Sequence, residues 1–120
     1  MKRILVVDDS PSIRYIIKTM INELGTYDIS DAPNGETALR KLKLLPYDLV
    51  ISDWNMPRMS GIELLGEMRK DDALKNIPVI MVTAEATKDN VETAAALGIN
   101  GYITKPFTPA KMDALLKTLL

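Results

Sequence analysis

Acidic residues close two apolar runs in this chain. Asp8 and Asp9 follow Ile4-Leu5-Val6-Val7, and Asp53 follows Leu49-Val50-Ile51-Ser52. Short apolar runs of this kind read as buried parallel strands, whose carboxyl ends are where open α/β sheets place their sites. If the two strands are neighbours, three carboxylates meet at one sheet edge. Two like charges ~4 Å apart repel by roughly 1 kcal/mol in water and about 4 kcal/mol at an effective dielectric near 20. Packing gives no reason to assemble such a cluster. A divalent cation with a nucleophile beside it does.

Taken singly, each residue has a plainer account. Asp9 beside a helix N-terminus sits where negative charge is favoured. Asp53 is either a metal ligand only or a nucleophile, since an ionised carboxylate can attack a phosphoryl group and form an aspartyl phosphate. Asn55, two residues on, is an ordinary loop asparagine or the donor of a backbone carbonyl to the cation. Mg²⁺ takes about six oxygens and keeps several waters, so two carboxylates and one carbonyl are enough protein. Thr83 closes the run Val79-Ile80-Met81-Val82, and Lys105 follows Tyr102-Ile103-Thr104. Alone, the first reads as a strand-end hydroxyl and the second as a solvated charge. Together, beside three acids, they read as donors to an oxyanion, which is most of what phosphoryl transfer needs.

Composition narrows the chemistry. The 120 residues bound one domain, expected to span 1–120, with 15 basic and 16 acidic side chains and a net charge of −1. That balance points to no nucleic acid as partner and no polybasic membrane patch. Apolar runs fall far short of the roughly 18 residues needed to cross a bilayer, and Met1-Lys2-Arg3 leads into a strand rather than a signal peptide. No membrane association and a cytoplasmic location are therefore expected. Cysteine and histidine are both absent. Thiolate sites, Ser-His-Asp triads, His-ligated metals and a phosphohistidine on this chain are thus excluded. What remains is oxygen chemistry, suited to Mg²⁺, with Mn²⁺ as a substitute.

The elements that must position these groups alternate five times. Strands are expected at about Arg3–Val7, Asp28–Ala32, Leu49–Ser52, Val79–Val82 and Gly101–Thr104. Ser10-Pro11 and Thr108-Pro109 are cap-plus-proline helix starts. Ile13, Ile16, Ile17, Met20, Ile21 and Leu24 follow the first at helical spacing, up to Gly25 at the C′ position. Ala38, Leu39, Leu42 and Leu45 mark a helix from Asn34-Gly35, and Ile62, Leu65 and Met68 one from about Gly61. A fourth helix spans about Lys88–Leu97 before Gly98, and Met112, Leu115, Leu116 and Leu119 line the last. Five βα units argue for an α/β fold, a single-domain (βα)5 doubly wound parallel sheet with right-handed crossovers. The flavodoxin-like strand order 2-1-3-4-5 is taken over from known doubly wound folds. It would put the first and third strands side by side. No Gly-rich phosphate fingerprint follows the first strand, which argues against a dinucleotide site.

Four stretches carry a family resemblance over essentially the whole chain: Val6-Val7-Asp8-Asp9, Ile51-Ser52-Asp53-Trp54-Asn55-Met56-Pro57, Val82-Thr83-Ala84-Glu85-Ala86 and Gly101-Tyr102-Ile103-Thr104-Lys105-Pro106-Phe107-Thr108. In this order they resemble the receiver domain of two-component response regulators, and within that family its single-domain chemotaxis members. The resemblance implies that Asp53 accepts a phosphoryl group from a histidine kinase, with Asp8, Asp9, Asp53 and the Asn55 carbonyl around Mg²⁺. It implies that Thr83 and Lys105 contact the phosphoryl oxygens and that Lys105-Pro106 is cis, although proline bonds in general are mostly trans. Thr83 and Tyr102 would be the switch residues, and Asn55 and Glu85 would tune dephosphorylation. The partner face would comprise Ala86, Lys88, Val91, Ala95, Tyr102 and Thr104 on the fourth helix and last strand. In the chemotaxis members that face meets the flagellar motor switch. Two departures stand out. Ser10-Pro11 replaces a bulkier aromatic-containing turn, and Leu115 stands where chemotaxis members have a basic residue.

A monomeric, phospho-accepting signalling switch is therefore expected, catalysing only its own phosphotransfer and autodephosphorylation. The chain stops within its last helix, so output is expected through binding. Rival readings are a phosphorelay intermediate, a receiver excised from a larger regulator, and a small Mg²⁺-dependent phosphatase. The last is disfavoured because Asn55 stands where such phosphatases place a second acid.

Overall fold

A computed structural model describes residues 1–84, 87–105 and 107–120. Its elements run β1 (Lys2–Val7), α1 (Pro11–Leu24), β2 (Tyr27–Ala32), α2 (Gly35–Leu44), β3 (Leu49–Asp53), α3 (Gly61–Lys70), β4 (Val79–Thr83), α4 (Lys88–Ala96), β5 (Gly101–Thr104) and α5 (Pro109–Leu119). The strands form one parallel sheet in the order β2-β1-β3-β4-β5. Glu85, Ala86 and Pro106 lie outside the described residues, and with them the cis bond expected at Lys105-Pro106.

Alternation along the central strands divides the core into two layers. Ile4, Val6, Leu49, Ile51, Ile80 and Val82 face Ile17, Ile21, Met112 and Leu116 of α1 and α5. Leu5, Val7, Val50, Val79 and Met81 face Ala38, Leu42, Leu64, Leu65 and Met68 of α2 and α3. A strand buried on both faces has no polar side to show, which is why these runs are apolar throughout.

The caps fall where the sequence places them. Ser10 and Thr108 accept from the N–H three residues on, each ahead of a proline at the first helical position. Ser60 and Glu63 form a reciprocal capping box on α3,. Three details differ from expectation. Ile16 and Leu45 are 48% and 51% exposed, because Ile17 and Ile21 already fill the α1 stripe and Leu45 is the residue that ends α2. Gly25 ends α1 in extended backbone, whereas Gly98 takes the left-handed conformation, φ 83°. Finally β3 and β4 each run one residue further than expected, so Asp53 and Thr83 are themselves the last strand residues.

Candidate functional site

Strand register builds the site. Val7 pairs with Ser52, so Asp8 and Asp53 are the next residues on adjacent strands. Asp53 pairs with Val82 and Thr83 with Thr104, so Thr83 and Lys105 step outward along the same edge. The Lys105 N–H donates to the Thr83 carbonyl at 2.7 Å, which fixes the turn that carries the ammonium.

Carboxylate oxygens of Asp8, Asp9 and Asp53 lie within 4.8 Å of one another. Asp8 is buried (1% exposed) and Asp9 is exposed. Lys105 Nζ stands 3.5 Å from Asp8 Oδ2 and 3.5 Å from Asp53 Oδ1. Asp8 Oδ1 accepts from the Ser10 N–H at 2.9 Å, while its Oδ2 is buried with no hydrogen-bond partner among the described residues. Asp53 Oδ1 accepts from the Trp54 N–H at 2.9 Å. Burial, followed by the Asp8 charge, pushes the Asp53 carboxyl above the ordinary range, and Lys105 and the Trp54 N–H offset only part of this. Three carboxylates against one ammonium leave two negative charges for a dication to neutralise.

The donor set fits Mg²⁺. Among the described residues the available ligand atoms are oxygens, the preferred partners of a hard cation, and a buried carboxylate oxygen lacks a hydrogen bond,. Thr83 is buried at the strand end (2% exposed) and Asn55 is exposed in the loop after Asp53. The remaining described residues singled out in the sequence lie on α4 and β5. Tyr102 is half-buried with its ring 6.4 Å from that of Trp54, tilted by 57°. Its hydroxyl is buried without a hydrogen-bond partner among the described residues, and burial pushes its pKa up. Lys88, Val91 and Ala95 lie exposed along α4, and Thr104 is exposed on β5.

Two contributors were not legible as such in the sequence. A Cβ on Gly61 would lie 2.1 Å from the Asp53 carbonyl oxygen, so only glycine lets α3 start against the end of β3,. Arg58 holds a left-handed backbone, φ 69°, in the loop between them. A glycine at a helix start and an arginine in a loop carry no signal of their own. Only the proximity of Pro57 and the helix start hinted at a tight path.

The fold and this edge define a class of protein. The family model described as "Response regulator receiver domain" matches residues 4–117, and the chain belongs to that family. Among its relatives is the chemotaxis protein CheY-3 of Vibrio cholerae, 46% identical over 98% of this chain and 93% of that protein. Another is the chemotaxis protein CheY of Pseudomonas aeruginosa, 48% identical over 88% of this chain and 86% of that protein. The crystallised CheY4 of Vibrio cholerae superposes with a TM-score of 0.92 at 34% identity, covering 100% and 99% of the two chains. The receiver domain of a Pseudomonas aeruginosa sensor histidine kinase, solved with a magnesium ion coordinated in its active-site cleft, gives 0.89 at 29% identity, covering 98% and 96%.

Proposed function

We propose that this protein is a CheY-like switch of a two-component chemotaxis pathway, phosphorylated on Asp53. The carrying observation is the Lys105 ammonium standing 3.5 Å from both Asp8 and Asp53 at an edge with three carboxylates. In the reaction, an Asp53 oxygen bonds to phosphorus as the donor's P–N bond breaks, and the leaving imidazole of the kinase keeps the electron pair. The chain has no histidine, so the phosphohistidine belongs to the partner. Asp8, Asp9, Asp53 and the Asn55 carbonyl would hold Mg²⁺, which when bound neutralises charge on the phosphoryl oxygens. Lys105 and Thr83 supply the remaining donors, and Trp54 N–H orients the attacking carboxylate.

A phosphoryl group adds nearly two negative charges and three acceptors to this edge. Thr83 closes β4 directly ahead of α4, so a hydroxyl drawn towards the phosphate biases the surface of α4, β5 and α5. Lys88, Val91, Ala95, Tyr102 and Thr104 would then meet the flagellar motor switch. Identity with chemotaxis proteins, at 46–48% over most of both chains, supports this output. A monomer acting in the cytoplasm fits this role. It turns over only its own phosphoryl group, with Asn55 and Glu85 setting the lifetime.

Incubation with acetyl phosphate and Mg²⁺, read by intact mass, is the test. Wild type gains one phosphoryl group, and Asp53→Asn gains none. Modification that persists in the variant would remove Asp53 from the role. Unchanged affinity of the phosphorylated protein for a motor-switch peptide would remove chemotaxis.

A further inference from the structure

Arg14, at the end of the first turn of α1, reaches back to the acidic edge without facing its carboxylates. Its Nη1 donates to the Asp8 carbonyl at 2.7 Å and its Nε to Asp31 Oδ2 at 2.9 Å. The side chain is largely buried, 17% exposed. These two anchors lie at the ends of neighbouring strands, Asp8 just after β1 and Asp31 on β2, since Asp31 pairs with Val6 in the β1–β2 ladder and the Asp8 N–H donates to the Ala32 carbonyl at 3.1 Å. Lys18 takes the other Asp31 oxygen at 3.7 Å.

Asp8 is therefore held from three sides. Its N–H is tied to β2, its Oδ1 to the Ser10 N–H, and its carbonyl to Arg14. What remains is Oδ2, buried, 3.5 Å from Lys105 Nζ and without a hydrogen bond among the described residues. The carbonyl gripped by Arg14 also belongs to the peptide that joins Asp8 to Asp9. Fixing that plane fixes the direction in which Asp9 leaves the strand.

We propose that Arg14 is a positioning residue for the divalent cation, setting the separation of the Asp8 and Asp9 carboxylates through the peptide between them. This rests on the reading that these acids hold Mg²⁺. Groups that orient ligands in this way are worth 10–100-fold in metal affinity. The sign makes the idea sharp. Removing a cation next to an acidic site should, by Coulomb attraction alone, tighten Mg²⁺ binding. Loss of positioning weakens it.

The experiment is a MgCl2 titration followed by fluorescence of Trp54, the single tryptophan, with thermal melts in EDTA for each variant. Arg14→Met is expected to raise the Mg²⁺ Kd about 10-fold. Arg14→Lys keeps the charge but has one donor head for two anchors, so it falls between, about 3-fold weaker. A Kd unchanged or lowered in a folded Arg14→Met overturns the proposal. If that variant does not fold, an unchanged Kd in Arg14→Lys overturns it instead. A wild type with no Mg²⁺ response, by fluorescence or calorimetry, overturns the cation site and this proposal with it. A binding wild type with unaffected variants removes Arg14 alone.

Discussion

The two ends of the sheet spend charge differently. At the amino-terminal end, charged groups are matched to partners. The Arg3 N–H donates to Asp48 at 2.8 Å, its side chain bonds Asp28 at 3.3 Å and the Pro46 carbonyl at 3.0 Å, and it lies over Tyr47 at 5.9 Å. Arg69 bonds the carbonyls of Lys75, Ile77 and Gly98 and the Asn100 side chain, all at 2.9–3.1 Å. At the carboxyl-terminal end, carboxylates crowd Lys105 and a buried oxygen goes without a hydrogen bond among the described residues. One end is organised for stability. The other holds an excess of negative charge that a dication would relieve, as crowded carboxylates are costly until something binds,.

That contrast can be broken most severely at Gly61. Gly61→Ala drives a Cβ against the Asp53 carbonyl, which is backbone and cannot swing away. A loss of about 3 kcal/mol is expected in urea denaturation, with weakened Mg²⁺ binding alongside. Arg69→Met should cost roughly 2–3 kcal/mol by removing its four charge-assisted hydrogen bonds, yet leave the Mg²⁺ titration unchanged,. If it altered Mg²⁺ affinity as strongly as a change at the site, the two ends would not be separable.

Asp53→Asn carries the opposite sign. The folded carboxyl is raised above its ordinary 3.8. Its stability contribution is therefore full below that value and lost as pH rises through the folded pKa. At pH 7 in EDTA the variant should melt higher than wild type, on the order of 1 kcal/mol or about 4 °C, with the gap closing below pH 4. Saturating Mg²⁺ should favour wild type instead, because only its complete site gains by mass action. Mg²⁺ binding to wild type should also weaken on acidification earlier than an ordinary aspartate would dictate. A variant less stable than wild type in EDTA would show that the acids are not in conflict. The smallest effect is expected at Arg58→Gly, which relieves a left-handed backbone and should stabilise by about 0.5 kcal/mol in the same denaturation.

Much of this was legible because the code is local. Apolar runs such as Leu49–Ile51 announce buried strands, and Ser10-Pro11 and Thr108-Pro109 announce helix starts through the N–H groups they satisfy. Ile16 and Leu45 misled for a matching reason. Periodicity says which residues share a stripe, but not how wide a stripe the neighbouring elements cover. Gly25 and Gly98 both end helices, and only one needed a left-handed backbone.

By itself the sequence determined the residue types, their strand-end positions and the restriction to oxygen chemistry, since a chain without cysteine or histidine has little else to offer. Tertiary structure decided that Asp8 and Asp53 are neighbours, that Lys105 bridges them, and that Gly61 and Arg14 press on the site's backbone. Strand order and register are set by burial summed over two whole layers of core. No single segment carries that information, so the meeting of residues 8, 53 and 105 belongs to the fold.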